Sequence, residues 1–598
     1  MFPASVLERA LRALLNESPA IKTRRLQSYL GELESLEQLQ LLRQLLCVRS
    51  PRPPLSRDVL EDIDAVLLQE RKHRILTPGA SIRPISTLDR QGRPSVNIKL
   101  WKGDITTLAS DVTAITNAAN SQMLGCFQPS HKCIDNVIHS WAGPRLRQEC
   151  FDIMSATKGE LPVGDAVVTR GYCLPAPFVI HTVGPQLQRG DAPTEDERQQ
   201  LRQCYISVLE EADSLPASSD GAKRVAICGI STGLFAFPTT VAAGIAVGTV
   251  YAWLAHHEDS SITDVIFVTY TDEDHDIYSS LLETPKPGWH SVASPANSQP
   301  RFQCDTLLIA RRWLQEADAI ILSAGAGLSA ADGLDYTSPT LFRTHFPTFR
   351  QYGFNRLYDV FGFADWPSEL DRWSYYFTHL ELVRSWPQSD MYKTLIAWLQ
   401  KFGEDAHVRT SNADGLFVAN GWPEEQTSTP QGQYAFLQCM ANCRPDSYWP
   451  SLPYLDAARP LMDPATQRLK DESAVPTCQN CGGAMFICVR AASWFNDQPF
   501  HTGETRWGNF KSRILASGKK TVILELGAGM NTPGVLRWPN EDIVRESQGS
   551  VKLIRVGLGA HSGVQWDLED EGLATSIDGD IKMALPHMLP SRDGRRAP

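Results

Sequence analysis

The sequence lacks the features of a membrane protein or a general nucleic-acid-binding protein. Lys and Arg number 57 against 68 Asp and Glu, the formal net charge is −11, and there is no basic tail or stripe. Binding to nucleic acid, which needs clustered positive charge, is therefore disfavoured. The longest stretch without a charged residue, 225–255, is interrupted by four glycines and one proline. This pattern predicts a strand, a loop and a buried helix, and disfavours a membrane span.

The N-terminus lacks the apolar core of a secretory signal. The first helical pattern, roughly 4–15, is amphipathic, and it contains Glu8 and is soon followed by Glu17, which weakens a mitochondrial presequence interpretation. We therefore expect a cytoplasmic protein, with the mitochondrion as the alternative. The thirteen cysteines are odd in number, and some have metal-ligand spacing. That usage indicates a reducing compartment and metal sites, and argues against a disulfide scaffold.

Composition and patterning divide the chain into several parts. It has 598 residues, of which 42% are hydrophobic and 21% charged, as in a soluble globular enzyme with two to four domains. A helical pattern over 1–80 predicts a cap, and alternating strand and helix patterns over 81–283 predict a three-layer α/β domain. The proline-rich stretch 284–300 predicts a linker, 301–590 a second α/β domain, and 591–598 a disordered tail.

Three turns in the first α/β domain follow or end predicted strands: GDIT, NAAN and STGLFAFP. Gly- and Ser-rich turns at the carboxyl ends of strands offer backbone N–H groups to phosphates. Together the three turns resemble the macrodomain fold, which binds ADP-ribose, over about 96–282. The resemblance implies that Asp104 hydrogen-bonds the adenine and that Ile105 lines its pocket. It also implies that Asn117 and Asn120 face the distal ribose, and that the diphosphate is wrapped by Ser231, Thr232, Gly233, Leu234 and Phe235.

Cys126, His131 and Cys133 lie within eight residues of one another. Three such ligands can hold zinc and leave one coordination position open, as a catalytic metal requires. The alternative is two packed cysteines and a surface histidine. The segment resembles the zinc-containing macrodomains that hydrolyse ADP-ribosyl–protein bonds. That resemblance implies that Asp135 positions or activates water and that Asn120 orients the ribose; from the sequence, Asp135 is also a candidate helix N-cap.

The second α/β domain contains a nucleotide-type turn and a cysteine cluster. Small residues that close a strand and open a helix are typical of dinucleotide sites, and here they are Gly325, Ala326, Gly327 and Ser329. A second set has the spacing C-x3-C, 34 residues, C-x2-C. Four thiolates at that spacing predict a closed, structural zinc site in a small module at about 432–490, held by Cys439, Cys443, Cys478 and Cys481.

These features together resemble the sirtuin family of NAD-dependent enzymes over about 305–559. The resemblance implies that Asn412 and Asp414 line the nicotinamide and ribose pocket, and that Gly527 and Gly529 make another dinucleotide contact. The family places a histidine general base where this chain has Gln431. A carboxamide cannot accept a proton as imidazole does, so we expect poor deacylation. The pattern resembles the macrodomain-linked sirtuins, which are protein ADP-ribosyltransferases, and Asn412, Gln431 and Arg490 match their functional positions.

The sequence therefore predicts an α/β protein with a helical cap, a three-layer α/β/α macrodomain and a Rossmann-like sirtuin domain with a zinc module. We expect a bifunctional enzyme that transfers ADP-ribose from NAD to a protein and removes it at a zinc site. The resemblance implies a lipoyl-carrier protein like the glycine-cleavage H protein as acceptor, and neither nucleic acid nor membrane as partner. The alternatives are an NAD-dependent lysine deacylase with His501 or Asp497 as base, a macrodomain that only binds ADP-ribose, and an inactive sirtuin domain.

Overall fold

The computed structural model describes most of the chain, and its internal contacts divide it into two compact units, Met1–Asp305 and Thr306–Pro598. The described residues are 4–17, 30, 33, 35–131, 133–157, 159–284, 286–292, 303–530 and 532–590. Most of the predicted linker, residues 285 and 293–300, and the whole predicted tail, 591–598, lie outside the described residues.

The first unit consists of helices followed by alternating strands and helices. Its helices are α1 (Ala4–Asn16), α2 (Ser35–Val48), α3 (Arg57–His73), α4 (Ile134–Ala142), α5 (Pro144–Ala156), α6 (Glu195–Ser214), α7 (Thr239–His256) and α8 (Asp272–Glu283). Its strands are β1 (Pro84–Arg90), β2 (Arg93–Lys102), β3 (Ala114–Ala118), β4 (Ala166–Arg170), β5 (Phe178–Thr182), β6 (Arg224–Cys228), β7 (Asp264–Thr269) and β8 (His290–Ser291).

These strands form one eight-stranded mixed sheet in the order β4-β5-β3-β6-β7-β2-β1-β8. The five strands from β5 to β2 in that order are parallel, and β4, β1 and β8 run antiparallel to their neighbours. One face of the sheet packs on α6, α7 and α8, and the other packs on α4 and α5. Because both faces are covered, β6 and β7 consist entirely of buried residues.

Helix α7 is the one described helix that is long and apolar enough to cross a membrane by length and composition alone. In the structure, its residues Ala242, Ala246 and Val250 are fully buried in the same core cluster as Leu201 and Tyr205 of α6. The absence of charged residues in α7 therefore reflects its packing between the sheet and neighbouring helices.

The cap helices pack on the α/β layers through polar as well as apolar contacts. Leu7, Leu11 and Leu14 share one buried face of α1. From α3, Arg71 donates two hydrogen bonds to the carbonyl groups of Cys173 and Leu174, at 3.1 and 3.0 Å. A side chain of the cap therefore supplies hydrogen-bond donors for backbone carbonyl groups of the α/β layers.

The second unit begins with α9 and β9 and contains two sheets. Its helices are α9 (Leu307–Glu316), α10 (Ala326–Ala331), α11 (Pro339–His345), α12 (Glu369–Arg384), α13 (Asp390–Leu399), α14 (Leu416–Ala419), α15 (Ser451–Ala458), α16 (His501–Ser517), α17 (Arg537–Glu546), α18 (Trp566–Asp570) and α19 (Ile581–Met588). Its strands are β9 (Ala319–Ala324), β10 (Ala406–Thr410), β11 (Thr427–Ser428), β12 (Gly432–Cys439), β13 (Tyr448–Pro450), β14 (Met485–Val489), β15 (Thr521–Leu526), β16 (Val551–Gly557) and β17 (Ala574–Asp578).

The larger sheet of this unit is parallel, with the order β11-β10-β9-β15-β16-β17. The chain adds β10 and β11 on one side of β9 and the last three strands on the other, so the strand order reverses beside β9. A separate antiparallel sheet, β13-β12-β14, forms the small module. The predicted fold class is confirmed: N-terminal helices, a mixed α/β sheet, and a Rossmann-like sheet with a four-cysteine module.

A buried ion-pair network joins β15, β16 and α17 in the second unit. Arg555 and Glu525 have fully buried side chains. Arg555 donates to Glu525 at 3.2 Å and to Glu541 at 2.9 Å, and Asn540 donates to Glu525 at 2.8 Å. Because each charge has a partner, the desolvation cost of burying it is offset, but the loss of one partner would leave the other uncompensated.

We therefore expect Glu525→Ala to lower the free energy of unfolding of the second unit by about 3–5 kcal/mol. The matched control is Arg545→Ala, which breaks a pair between Arg545 and Asp567 whose side chains are 43% and 55% exposed. That pair should contribute only about 0–1 kcal/mol. Guanidinium unfolding of the full chain measures both changes, and equal effects would contradict this interpretation of the network.

Candidate functional site

The first candidate site is a cleft at the carboxyl edge of the mixed sheet. Strands β2, β3, β6 and β7 are parallel and end at this edge, so the turns that follow them meet there. The cleft has a volume of about 2120 Å³ including its open mouth. The predicted residues that line it are Asp104, Ile105, Asn120, Cys126, His131, Cys133, Asp135, Ser231, Thr232, Gly233, Leu234 and Phe235.

Asp135 lies in the first turn of α4, and its side chain is buried. The alternative prediction that Asp135 caps this helix is wrong, because Cys133 occupies the N-cap position. The Asp135 carboxylate accepts hydrogen bonds from the carboxamides of Asn117, at 2.8 Å, and Asn120, at 3.2 Å. Burial raises the pKa of Asp135 to about 6, although both carboxamides and the charge of Arg147 act in the opposite direction.

The two asparagines that were predicted to face a ribose lie in different positions. Asn117 is fully buried, and its Nδ2 lies 3.1 Å from Nδ1 of His181 as well as against Asp135. Because Asn117 does not line the cleft, it can influence the cleft only through its hydrogen bond to the Asp135 carboxylate. Asn120 lines the cleft and also donates to the carbonyl group of Gly125 at 3.1 Å. Asn117 therefore orients Asp135 from behind, and Asn120 lies between Asp135 and the cleft.

The turn after β6 presents a strained serine to the cleft. Ser231 has a φ of 64°, which is uncommon for a residue with a side chain. Its hydroxyl is buried and has no hydrogen-bond partner among the described residues. A Cβ atom at Gly184 would lie only 2.1 Å from this hydroxyl, so a side chain there would displace the Ser231 hydroxyl. An unpaired buried hydroxyl beside exposed backbone suits a ligand that brings hydrogen-bonding oxygens.

Asp104 also lines the cleft, and Arg74 lies against it. One carboxylate oxygen of Asp104 accepts from the Thr106 amide at 2.9 Å, and the other accepts from Arg74, also at 2.9 Å. The Arg74 guanidinium stacks on the ring of Trp141, 3.8 Å from its centroid. Ile105 is buried beside them. Asp104 is thus an oriented acceptor whose charge is paired.

The predicted metal triplet is partly assembled around Cys126. The Cys126 sulfur lies 3.4 Å from Nδ1 of His131, and Cys133 follows His131 by two residues and lines the same cleft. A sulfur and an imidazole nitrogen at tetrahedral corners around zinc are about 3.6 Å apart, so this pair fits a shared ion. Among the described residues, however, the triplet is not one of the groups whose ligand atoms all lie within 4.8 Å of one another.

One group that meets this distance lies in the core of the first unit: His139, Cys150 and His181. Both ring nitrogens of His181 are already engaged, one with Asn117 at 3.1 Å and the other with the Thr169 hydroxyl at 2.9 Å. Burial lowers the pKa of His181 to about 3, so the ring is neutral. We therefore interpret this His/Cys cluster as packing, and the loop triplet remains the better candidate for a metal.

The other group is the four-cysteine cluster of the small module. Cys439 and Cys481 are 3.7 Å apart between sulfurs, and Cys443 and Cys478 are 3.6 Å apart. Sulfurs bound tetrahedrally to zinc at about 2.3 Å are about 3.8 Å apart, so the cluster fits a closed zinc site. Burial opposes ionisation of Cys478, but the N–H groups of Cys481 and Asn480 outweigh it and lower its pKa to about 7.

The glycines of the predicted dinucleotide turn contact another loop of the protein. The Gly325 amide donates to the Leu526 carbonyl at 2.9 Å, and the Gly327 amide donates to the Gly527 carbonyl at 3.0 Å. A Cβ atom at Gly327 would lie 2.7 Å from Cα of Gly527. The turn that holds Ala326 is thus locked to the loop that holds Gly529, and close backbone packing accounts for the glycines.

Polar side chains gather where β9 and β10 end. The Ser329 hydroxyl donates to the Asp414 carboxylate at 2.6 Å, and Asn412 donates to Ser329 and to the Gly325 carbonyl, both at 3.0 Å. Burial raises the pKa of Asp414. The structure therefore brings together Ser329, Asn412 and Asp414, which the sequence analysis assigned to one pocket.

Gln431 and Arg490 meet through the backbone at the start of the module sheet. The Arg490 amide donates to the Gln431 carbonyl at 2.9 Å, and its exposed guanidinium stacks on Phe495, 4.5 Å from the ring centroid. The two alternative bases, His501 and Asp497, pair with each other at 3.1 Å, with side chains 54% and 55% exposed. The contact lies at the surface, where such pairs contribute little to stability.

Comparisons with known proteins agree with this architecture. A family model described as "Macro domain" matches residues 116–246. The protein of Fusarium oxysporum f. sp. cubense named "Probable bifunctional ADP-ribose hydrolase/ADP-ribosyltransferase" is 53% identical over 595 residues, which is 98% of each chain. The chain belongs to this bifunctional ADP-ribose hydrolase/ADP-ribosyltransferase family.

Other relatives match a smaller share of this family member. A "Protein-ADP-ribose hydrolase" of Staphylococcus aureus strain Mu50 is 43% identical over 244 residues, 41% of this chain and 84% of that protein. A solved macrodomain of Oceanobacillus iheyensis with ADP is 29% identical and covers 34% of this chain and 96% of its own, with a TM-score of 0.27. The predicted resemblance to zinc-type macrodomain hydrolases and to a fused transferase is confirmed at the level of the family.

Sequence reasoning missed four residues of the first site in this family member: Cys47, Arg74, Asn136 and Arg147. Cys47 and Arg74 come from the helical cap, and their place beside the cleft depends on how the cap packs. Asn136 and Arg147 lie on α4 and α5, within the family-model match. Asn136 belongs to the segment that resembles the zinc-containing macrodomains, but the sequence analysis gave it no role, and Arg147 lies outside that segment. The spacing of charged and polar residues on α4 was the one signal that could have indicated Asn136.

We expect Cys481→Ser to reduce the zinc content of the purified full chain by about one ion per chain and to lower the unfolding temperature of the second unit, because binding energy at a structural zinc site is folding energy. Cys488→Ser is the matched control: this buried thiol of β14 bonds to the Asn496 carbonyl and lies outside the cluster. Metal analysis and thermal unfolding test the pair, and an unchanged zinc content in Cys481→Ser would contradict the assignment.

Proposed function

We propose that the first unit hydrolyses the bond between ADP-ribose and a protein, and that the second unit forms this bond with NAD as donor. Family membership over 98% of both chains supports the pairing of the two activities. The observation that carries the hydrolase assignment is the buried Asp135 carboxylate, held by Asn117 and Asn120 beside the sulfur and imidazole groups of the loop triplet. The same cleft supplies the Ser231 turn for a diphosphate.

In the proposed hydrolysis, Asp135 orients a water molecule and accepts a proton from it as the water oxygen bonds to the anomeric carbon of the ribose. The bond from that carbon to the protein acceptor breaks, and the acceptor leaves with a proton. Asn117 fixes the carboxylate, while Asn120 is placed to hold the ribose. A zinc ion held by Cys126, His131 and Cys133 would supply Lewis acidity toward a substrate oxygen.

In the proposed transfer, NAD lies against the loops of Gly325 and Gly527, with its nicotinamide end near Asn412 and Asp414. Nicotinamide leaves, and a nucleophile of the acceptor protein bonds to the same anomeric carbon. Gln431 holds a ribose hydroxyl by a hydrogen bond and takes no proton. An acceptor that is already ionised, such as a carboxylate, needs no base. Arg490, exposed beside Gln431, is placed to contact the acceptor.

We also propose the acceptor class and the location. The sirtuin resemblance supports a lipoyl-carrier protein like the glycine-cleavage H protein as the acceptor. The cysteine usage of the sequence, thirteen in all with six at metal-ligand spacing, supports a reducing compartment, the cytoplasm, with the mitochondrion as the alternative.

We expect Asp135→Asn to slow release of ADP-ribose from a modified protein by about 10²- to 10⁴-fold, because the carboxamide cannot accept a proton, and to leave binding of free ADP-ribose nearly unchanged. Asp274→Asn is the control, since Asp274 lines the same cleft but lies on a different helix, α8. Release is followed by mass spectrometry and binding by calorimetry. Wild-type turnover in Asp135→Asn refutes the assignment, and binding without any turnover in wild type means that the domain only reads ADP-ribose.

We expect Gln431→Ala to slow transfer from labelled NAD to a lipoyl-carrier protein by about tenfold, the effect of one lost hydrogen bond of about 1.4 kcal/mol. His501→Ala should leave transfer unchanged. Mass spectrometry of the products separates the two reactions, because transfer gives an ADP-ribosyl adduct. O-acyl-ADP-ribose formed from an acylated lysine peptide and lost in His501→Ala would instead establish a deacylase.

A further inference from the structure

We propose that Cys47 and Asn136 are positioning residues for the metal-binding segment, so that the helical cap completes the hydrolase site. This inference rests on the proposed zinc-dependent hydrolysis. Segment 126–131 carries two of the three ligands and contains no helix or strand, and Phe127, Gln128 and His131 in it are exposed. Such a segment needs contacts from outside to hold its ligands in a fixed arrangement.

Cys47 supplies the first contact. It lies one residue before the end of α2, and its residue exposure is only 8%. Its thiol lies 3.3 Å from the Cys126 carbonyl oxygen and 3.3 Å from Oδ1 of Asn136. The thiol thus donates from the cap to the backbone of one ligand residue and to the side chain that holds the rest of the segment.

Asn136 supplies the second contact, from the first turn of α4. Its Nδ2 donates to the His131 carbonyl at 2.9 Å and to the Gln128 carbonyl at 3.2 Å, and its Oδ1 accepts from Cys47. Every polar atom of this carboxamide is satisfied in one orientation only, with nitrogen toward the carbonyls and oxygen toward the thiol.

Arg147 fixes the end of α2 from which Cys47 reaches the segment. Its guanidinium donates to the carbonyls of Leu46, Cys47 and Arg49, at 2.6, 3.1 and 2.8 Å. It also stacks on the ring of Phe127, 4.6 Å from the centroid. Because helix C-terminal carbonyls lack partners within the helix, a cation there is doubly favourable. Cys47 is therefore held against the segment and has little freedom to turn away.

Contacts of this kind around metal ligands typically contribute about 10- to 100-fold in metal affinity. The test measures zinc transfer from the full chain to a coloured chelator, with Cys126→Ser as the reference that lacks one loop ligand. We expect Cys47→Ala and Asn136→Ala to speed release of the loop zinc by about 10- to 100-fold and to leave the slow release from the four-cysteine site unchanged. Cys47→Ser, which keeps a donor, should restore slow release.

The control is Cys204→Ala, which removes another buried thiol of the first unit, one that bonds to the carbonyls of Val183 and Gln200. If Cys204→Ala speeds release as much as Cys47→Ala, the effect is general destabilisation and the proposal is overturned. Wild-type release rates in both Cys47→Ala and Asn136→Ala overturn it as well. If Cys126→Ser and wild type release the same amount of zinc, the loop holds no metal, and the proposed zinc-dependent function falls together with this inference.

Discussion

Both candidate sites depend on the common direction of parallel strands. In the first unit, parallel pairing brings the turns after β2, β3 and β6 to one edge, so residues more than a hundred positions apart, such as Asn120 and Ser231, line one cleft. In the second unit the same rule joins the turn after β9 to the loop after β15. Because each sheet is covered by helices, its side chains are committed to packing, and the strand ends are the places left for chemistry.

The polar groups at these edges differ in charge between the two units. In the first unit, the Asp135 carboxylate is buried at the cleft and accepts hydrogen bonds from two carboxamides. These bonds and the nearby charge of Arg147 favour its ionised form, whereas burial opposes it. The second gathers groups that are mostly neutral. Its one acidic member, Asp414, is tied to Ser329 and to the Leu416 amide. This contrast matches the proposed division of labour: water must lose a proton to react, whereas an ionised acceptor arrives ready to bond.

The sequence was enough to predict the strand ends and the four-cysteine module, because each depends on local spacing. It was not enough to predict which way Asn117 points. That residue lies on β3, and the period-two alternation of a strand sends its side chain to the same face as Ile115, under α4 and α5. Cys47 and Arg74 were beyond prediction for another reason, since their roles arise only when the cap helices pack on the α/β layers.

The paired loops of the second unit also bear on how such sequences are compared. Gly325 and Gly327 have no room for a side chain because the backbone of residues 527–528 occupies it, and Gly527 meets the backbone of Gly327 and Leu328 in turn. Selection on folding alone is therefore enough to preserve this glycine pattern. A homologue that no longer binds the nucleotide would therefore still keep these glycines, so their presence does not show that a homologue binds a cofactor. The neighbouring Asn412 and Asp414 are better indicators when active and inactive homologues are distinguished.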